Sequence, residues 1–141
     1  MSSLIRVSDA ATLGLHAMAY LARQGEGRVP ARQIAAGTRV SGAHLAKVLG
    51  RLERAGLVRG TRGPRGGYAL AKPASRVSLK DVYEAVEGPL CTTRCLFGRP
   101  SRCGSCLMGG LLGEIDGLVS RRLAGTRLSD VGVDVREWSR R

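Results

Sequence analysis

The sequence predicts a mainly α-helical domain carrying one small β-hairpin, followed by a longer C-terminal helix. Three observations carry that expectation. Apolar residues return at helical spacing in successive stretches of the chain. Two short runs fit for strands flank a segment crowded with Gly, Pro and Arg. Aromatic residues make up only 4 % of the 141 residues while Gly reaches 20, so the core must be built from Leu, Val and Ala between tight turns. That length suits one compact domain with an appended helix.

The elements follow in order. Ser8 and Asp9 offer capping oxygens ahead of Leu13, Ala17, Tyr20 and Leu21, which predicts a first helix over Asp9–Arg23. Gln24-Gly25-Glu26-Gly27 stops it. Pro30 stands where a short second helix starts, since the first helical residue needs no amide donor; that helix runs through Ile34 and Ala35. Gly37 to Val40 reads as the turn out of it. Ser41 caps a third helix in which Leu45, Val48, Leu49 and Leu52 share one face. Gly56 supplies a left-handed stop.

Leu57-Val58-Arg59 and Tyr68-Ala69-Leu70 are the strand candidates, joined by a positively charged hairpin tip over Gly60–Gly67. Ser78-Leu79-Lys80-Asp81 resembles a capping box with Asp in place of Glu. It opens a helix through Val82, Ala85 and Val86 that Gly88-Pro89 ends. Residues Leu90 to Ser105 read as irregular. From Leu107 to Leu123, the residues Leu111, Ile115, Leu118, Val119 and Leu123 return at helical spacing, and a charged, partly ordered tail follows Gly125.

Charge narrows the function. The net charge is +12, and between Arg28 and Arg76 eleven basic residues face one acidic residue, Glu53. That segment alone carries +10, leaving +2 for the rest of the chain. A field so concentrated suits a polyanion; the plain alternative is a solvated basic surface. The order of helices and hairpin decides for double-stranded DNA, because it is the winged helix-turn-helix plan. A recognition helix needs one apolar face for its own domain and one of small or basic side chains for the major groove. Ala43 and Gly50 let the backbone approach closely, and Lys47, Arg51 and Arg54 can reach phosphates. Ser41 and the adjacent helix N-terminus can also take a phosphate. His44 is either a DNA contact or simply exposed. The hairpin tip would carry Arg62 or Arg65 beside or into the minor groove. RNA fits less well, because the basic stretch holds neither Trp nor Phe for base stacking.

The four cysteines, Cys91, Cys95, Cys103 and Cys106, give C-x3-C-x7-C-x2-C within sixteen residues. No charged-then-apolar leader opens the chain, and His16 and Arg23 break its longest early apolar stretch, so a cytoplasmic protein with no membrane partner is expected. In that compartment metal binding is a better default than disulfides. Four thiolates fit Zn²⁺ or an iron–sulfur cluster, and spacing alone favours neither. Arg94, Arg99 and Arg102 offset the thiolate charge.

Leu57-Val58 followed by Arg62-Gly63-Pro64-Arg65-Gly66-Gly67-Tyr68-Ala69-Leu70 resembles the wing of the IscR and NsrR family of winged-helix regulators, and the likeness runs from about residue 8 to residue 131. The resemblance implies a homodimer with the long C-terminal helix as its seam, reading a near-palindromic operator. It places Arg62 where the family has a minor-groove arginine and Ser41 at the start of the recognition helix. Ala46 stands where some members carry a polar base-reading residue, so no operator sequence transfers. The resemblance also turns the cysteine question toward a 2Fe-2S or 4Fe-4S cluster, with zinc as the alternative. Cys106-Leu107-Met108 matches the last family cysteine, while the family's x5 spacings are absent. A His used by some members is Gly109 here, and a partner-chain ligand of others falls on Thr12, with Asp9 one turn before it and His16 one turn after. A fourth cysteine is the simplest fourth ligand; Asp9 or His16 from the other subunit are the alternatives. Each of these two also has a plain structural reading, Asp9 as a helix cap and His16 as a packed helix residue.

The expected organisation is therefore a winged helix-turn-helix unit over 1–88, a cysteine loop over 89–106, a dimerisation helix over 107–124 and a tail over 125–141. The expected function is a DNA-binding transcriptional regulator, a repressor controlled by an iron–sulfur cluster that senses iron, redox state or nitric oxide. The alternative keeps the fold but has structural zinc or a thiol redox switch. No enzyme is expected and no small-molecule substrate. There is no G-x-x-x-x-G-K-[ST] phosphate loop, Gly60–Gly67 lacks a dinucleotide-binding context, and Cys103-x2-Cys106 lacks βαβ surroundings.

Overall fold

A computed structural model describes residues 6–91 and 107–132. The elements run α1 (Asp9–Arg23), α2 (Ala31–Thr38), α3 (Gly42–Arg54), β1 (Val58–Thr61), β2 (Gly67–Leu70), α4 (Leu79–Glu87) and α5 (Leu111–Gly125). Single 3-10 turns lie at Ala74–Arg76 and Leu128–Asp130. The mainly helical fold with one antiparallel hairpin is the expected class.

Local chemistry sets the helix ends. The Ala11 amide donates to Ser8 Oγ at 3.0 Å, so Ser8 rather than Asp9 caps α1. Pro30 precedes α2 as expected, but that helix continues through Gly37 and Thr38. The Thr38 hydroxyl donates to the Ile34 carbonyl at 2.9 Å, and Arg39 turns the chain in a left-handed conformation (φ 54°). The His44 amide donates to Ser41 Oγ at 3.2 Å. At α4 the capping box is complete: Asp81 N–H donates to Ser78 Oγ at 3.0 Å and Ser78 N–H to Asp81 Oδ2 at 2.8 Å. That backbone bond from Ser78, helped by the charges of Arg127 and Lys72, holds the Asp81 carboxyl below its usual pKa despite partial burial.

One core joins these elements. Leu13, Ala17, Met18 and Leu21 of α1 meet Ile34 of α2 and the Leu45, Val48, Leu49 and Leu52 face of α3. Val58, Val77, Val82 and Val86 complete it. Leu128 also belongs to this core, at 1 % exposure. The tail is thus tied back to the first domain: Leu128 N–H donates to Val77 O and Leu79 N–H to Thr126 O, each at 2.9 Å.

α5 differs from the other helices. It begins at Leu111 because residues 107–110 form a turn, with Gly109 at φ 55°. It packs on α4 but contains no buried residue, and Leu118 is 63 % exposed.

Candidate nucleic-acid interface

The recognition-helix candidate α3 divides as its sequence predicts. Leu45, Val48, Leu49 and Leu52 are buried, whereas Ser41, Ala43, Ala46, Lys47, Arg51 and Arg54 are exposed and His44 is half-buried. Its N-terminus is exposed and carries no acidic side chain in the first turn, so the positive end of its dipole meets solvent. A Cβ at Gly50 would meet nothing within 4 Å; internal packing does not require glycine there.

The cations of α3 are not equivalent. Arg54 Nε donates to the Gly50 carbonyl of its own helix at 3.2 Å, which leaves its charge on the α3 surface. Arg51 Nη1 instead donates to the Val86 carbonyl at the end of α4, at 2.9 Å. Its guanidinium is engaged between helices, which sequence spacing did not reveal because the partner lies 35 residues away.

The wing pairs Val58 with Leu70, Arg59 with Ala69, Gly60 with Tyr68 and Thr61 with Gly67. Gly60, Thr61 and Gly67, expected in the tip, are strand residues. The tip itself closes through Gly66 N–H to Gly63 O at 2.9 Å, with Pro64 and Arg65 between them. Arg62 and Arg65 are both exposed. Two glycines make this closure possible. A Cβ at Gly66 would sit 2.2 Å from the Thr61 oxygen, and one at Gly67 (φ 155°) 2.5 Å from the Val29 oxygen.

Two tethers outside the hairpin set the wing's place. Val29 and Tyr68 exchange backbone hydrogen bonds at 2.8 and 2.9 Å, adding a third chain beside β2. On the other edge, Gly60 N–H donates to Glu53 Oε1 at 2.9 Å. The one carboxylate of the basic stretch thereby joins α3 to β1, a role its sequence position did not suggest.

The cysteine loop leaves from the same region as the α3 brace. Cys91 is exposed and its thiol is free. It follows Leu90, whose N–H donates to Glu84 Oε1 at 3.0 Å. Cys95, Cys103 and Cys106 lie outside the described residues. Ser8 Oγ donates to the Glu87 carboxylate, so the first turn of α1, with exposed Asp9, sits at the end of α4 where the loop departs. His16, half-buried, donates from Nδ1 to the Thr12 carbonyl at 2.6 Å, which fixes the proton on that nitrogen. Among the described residues no three His, Cys, Asp or Glu side chains gather as a metal site. Also among them, no helix is long and apolar enough to cross a membrane.

Comparison with known proteins agrees with this geometry. The chain is similar to a Neisseria meningitidis serogroup A protein that bears the name of an HTH-type transcriptional regulator, with 30 % identity over 131 residues, 90 % of this chain and 87 % of that protein. Its fold is similar to that of CymR (YrzC), the global cysteine regulator of B. subtilis, with a TM-score of 0.76 and 27 % identity across 90 % of this chain and 95 % of that one. It is also similar to IscR of T. potens, with a TM-score of 0.73 and 25 % identity across 90 % and 85 % of the two chains. Residues 7–134 match Rrf2, described as an iron-dependent transcriptional regulator. A basic, capped recognition helix and a tethered wing, found in a chain matched over nearly its whole length, make this protein a DNA-binding transcriptional regulator of the Rrf2 family.

Proposed function

We propose that the protein is a homodimeric repressor whose operator affinity is controlled by an iron–sulfur cluster on the cysteine loop. The observation that carries this reading is the end of α4. Within one turn and its exit, Val86 takes the Arg51 guanidinium of α3, Glu87 takes the Ser8 hydroxyl of α1, and Cys91 opens the loop. A change in the loop therefore bears on the element that braces the DNA-reading helix.

The donor set fits the group. Cys91, Cys95, Cys103 and Cys106 supply four thiolates, the usual complement for a cluster, with Asp9 or His16 from the other subunit as the alternative fourth donors. A bound cluster would supply a redox- and nitric-oxide-sensitive centre. The chain's own residues do the rest: the Leu90 N–H bond to Glu84 ties the start of the loop to α4, Arg51 ties α4 to α3, and Lys47, Arg54, Arg62 and Arg65 present the positive charge that holds phosphates. The dimer is supported by α5, whose Leu111, Ile115, Leu118 and Val119 include no buried side chain in the single chain; a second copy would cover them.

A second reading, a thiol switch or a zinc site without a cluster, is favoured by the exposed free Cys91 and by a likeness to CymR at least as good as that to IscR. One experiment separates the two. The protein is purified without oxygen, and its visible spectrum, iron, acid-labile sulfide and zinc are measured on one sample, with Cys106→Ser beside it. Matched iron and sulfide, with colour lost in the variant but dimerisation kept, supports the cluster. A colourless protein with stoichiometric zinc, or with neither metal, overturns it and leaves the regulator fold standing.

A further inference from the structure

Glu53 is the exception in the most basic part of the molecule. It is the one acidic residue between Arg28 and Arg76, on the last turn of the helix that faces DNA. A carboxylate there repels phosphate, so charge gives no reason for it in an operator-binding surface. Its geometry does. Glu53 Oε1 accepts the Gly60 N–H at 2.9 Å, bonding to backbone rather than to one of the arginines around it. Gly60 lies in β1 opposite Tyr68, and its N–H points off the free edge of the hairpin, away from β2. A charged acceptor makes this bond stronger than a neutral one. The approach is also close: a Cβ at residue 60 would stand 3.0 Å from Glu53 Oε1 and 3.1 Å from the Tyr68 ring.

Core packing fixes only the start of β1 against α3: Val58 is buried with the apolar face of α3, whereas Arg59, Gly60 and Thr61 are exposed. β1 follows α3 through Ala55, Gly56 and Leu57, and the Val29–Tyr68 bonds hold β2 to the segment before α2. Only the Glu53–Gly60 bond, among the described hydrogen bonds, runs from an α3 side chain to β1. The strand that it holds leads directly into the tip carrying Arg62 and Arg65. Helix and wing must meet one duplex in adjacent grooves, so a hinge between them would lower affinity even with every cation in place.

We propose that Glu53 is a positioning residue for operator recognition: it locks the wing to the recognition helix so that both engage the same site. The proposal rests on the DNA-binding reading and adds a residue that touches no DNA. It separates two effects of one side chain, a repulsive charge and a structural acceptor, and two neutral variants tell them apart. Glu53→Gln keeps an Oε1 acceptor without the charge; Glu53→Ala loses both.

The test uses the full-length, reduced protein and the duplex of about 30 base pairs that the wild type selects from a random library, long enough for two half-sites. Operator Kd is measured across a salt series, with amide exchange at Gly60 followed by NMR. Glu53→Gln should bind at least as tightly as wild type and keep Gly60 protected. Glu53→Ala should bind about five-fold more weakly than Glu53→Gln, the equivalent of one hydrogen bond, with faster Gly60 exchange. Equal affinity of the two neutral variants would overturn the proposal, since Glu53 would then act through charge alone. Unchanged Gly60 exchange in Glu53→Ala would overturn it as well. If the wild type selects no duplex, the DNA-binding reading itself fails, a result distinct from either.

Discussion

Arg51 Nη1 donates to the main-chain oxygen of Val86 at 2.9 Å, joining the recognition helix to the residue five positions before Cys91. The bond gives a last-turn carbonyl of α4 a cationic partner, where the helix dipole favours positive charge. Arg51→Ala should therefore destabilise the fold by about 1 kcal/mol, and Arg51→Lys should recover part of that loss. Urea denaturation checks it. A variant with unchanged stability but weakened DNA binding would show that Arg51 works toward DNA instead.

Gly50 predicts an opposition between stability and function. It lies inside α3, where glycine is less favourable than alanine by about 1 kcal/mol, and the space around its missing Cβ is open. Gly50→Ala should raise the melting temperature. If the bare backbone is there to approach the duplex, the same variant should bind operator several-fold more weakly. A gain in both quantities would mean that the glycine serves neither packing nor recognition.

The capping box gives a pH dependence. The folded pKa of Asp81 is below its ordinary value near 3.8, chiefly through the Ser78 backbone bond. Its contribution is then present above the ordinary value and is lost as pH falls through the folded pKa. Asp81→Asn should be less stable than wild type at neutral pH, and the difference should narrow in acid. Parallel denaturation curves from neutral to acidic pH measure it; a constant difference would rule out the carboxylate charge as the cause.

Two leucines of the C-terminal third should behave in opposite ways. Leu128 is 1 % exposed and Leu118 63 % exposed. Leu128→Ala should cost about 2–5 kcal/mol of folding stability. Leu118→Glu should keep the helical circular dichroism but shift the protein toward monomer in sedimentation. A dimer that survived Leu118→Glu would place the seam elsewhere.

Much of this was legible in the sequence because it depends on neighbours along the chain. The Ser41 and Ser78 caps, the apolar face of α3 and the Gly56 stop are local matters of spacing and backbone sterics, and each stands where its pattern put it. The concentration of positive charge between Arg28 and Arg76 is likewise a property of composition, and it pointed to a polyanion before any fold was known.

Tertiary structure alone decided the rest, where residues distant in sequence share one hydrogen bond or one core. Nothing in the spacing of α3 separates Arg51, turned to Val86, from Arg54, turned along its own helix. Glu53 reads as a stray charge until Gly60 N–H is seen to meet it. Leu128 reads as part of a charged tail until it enters the core of the first domain. Sequence periodicity reports which face of an element is apolar; which partner that face or side chain meets depends on how the elements pack, and packing is a property of the whole chain.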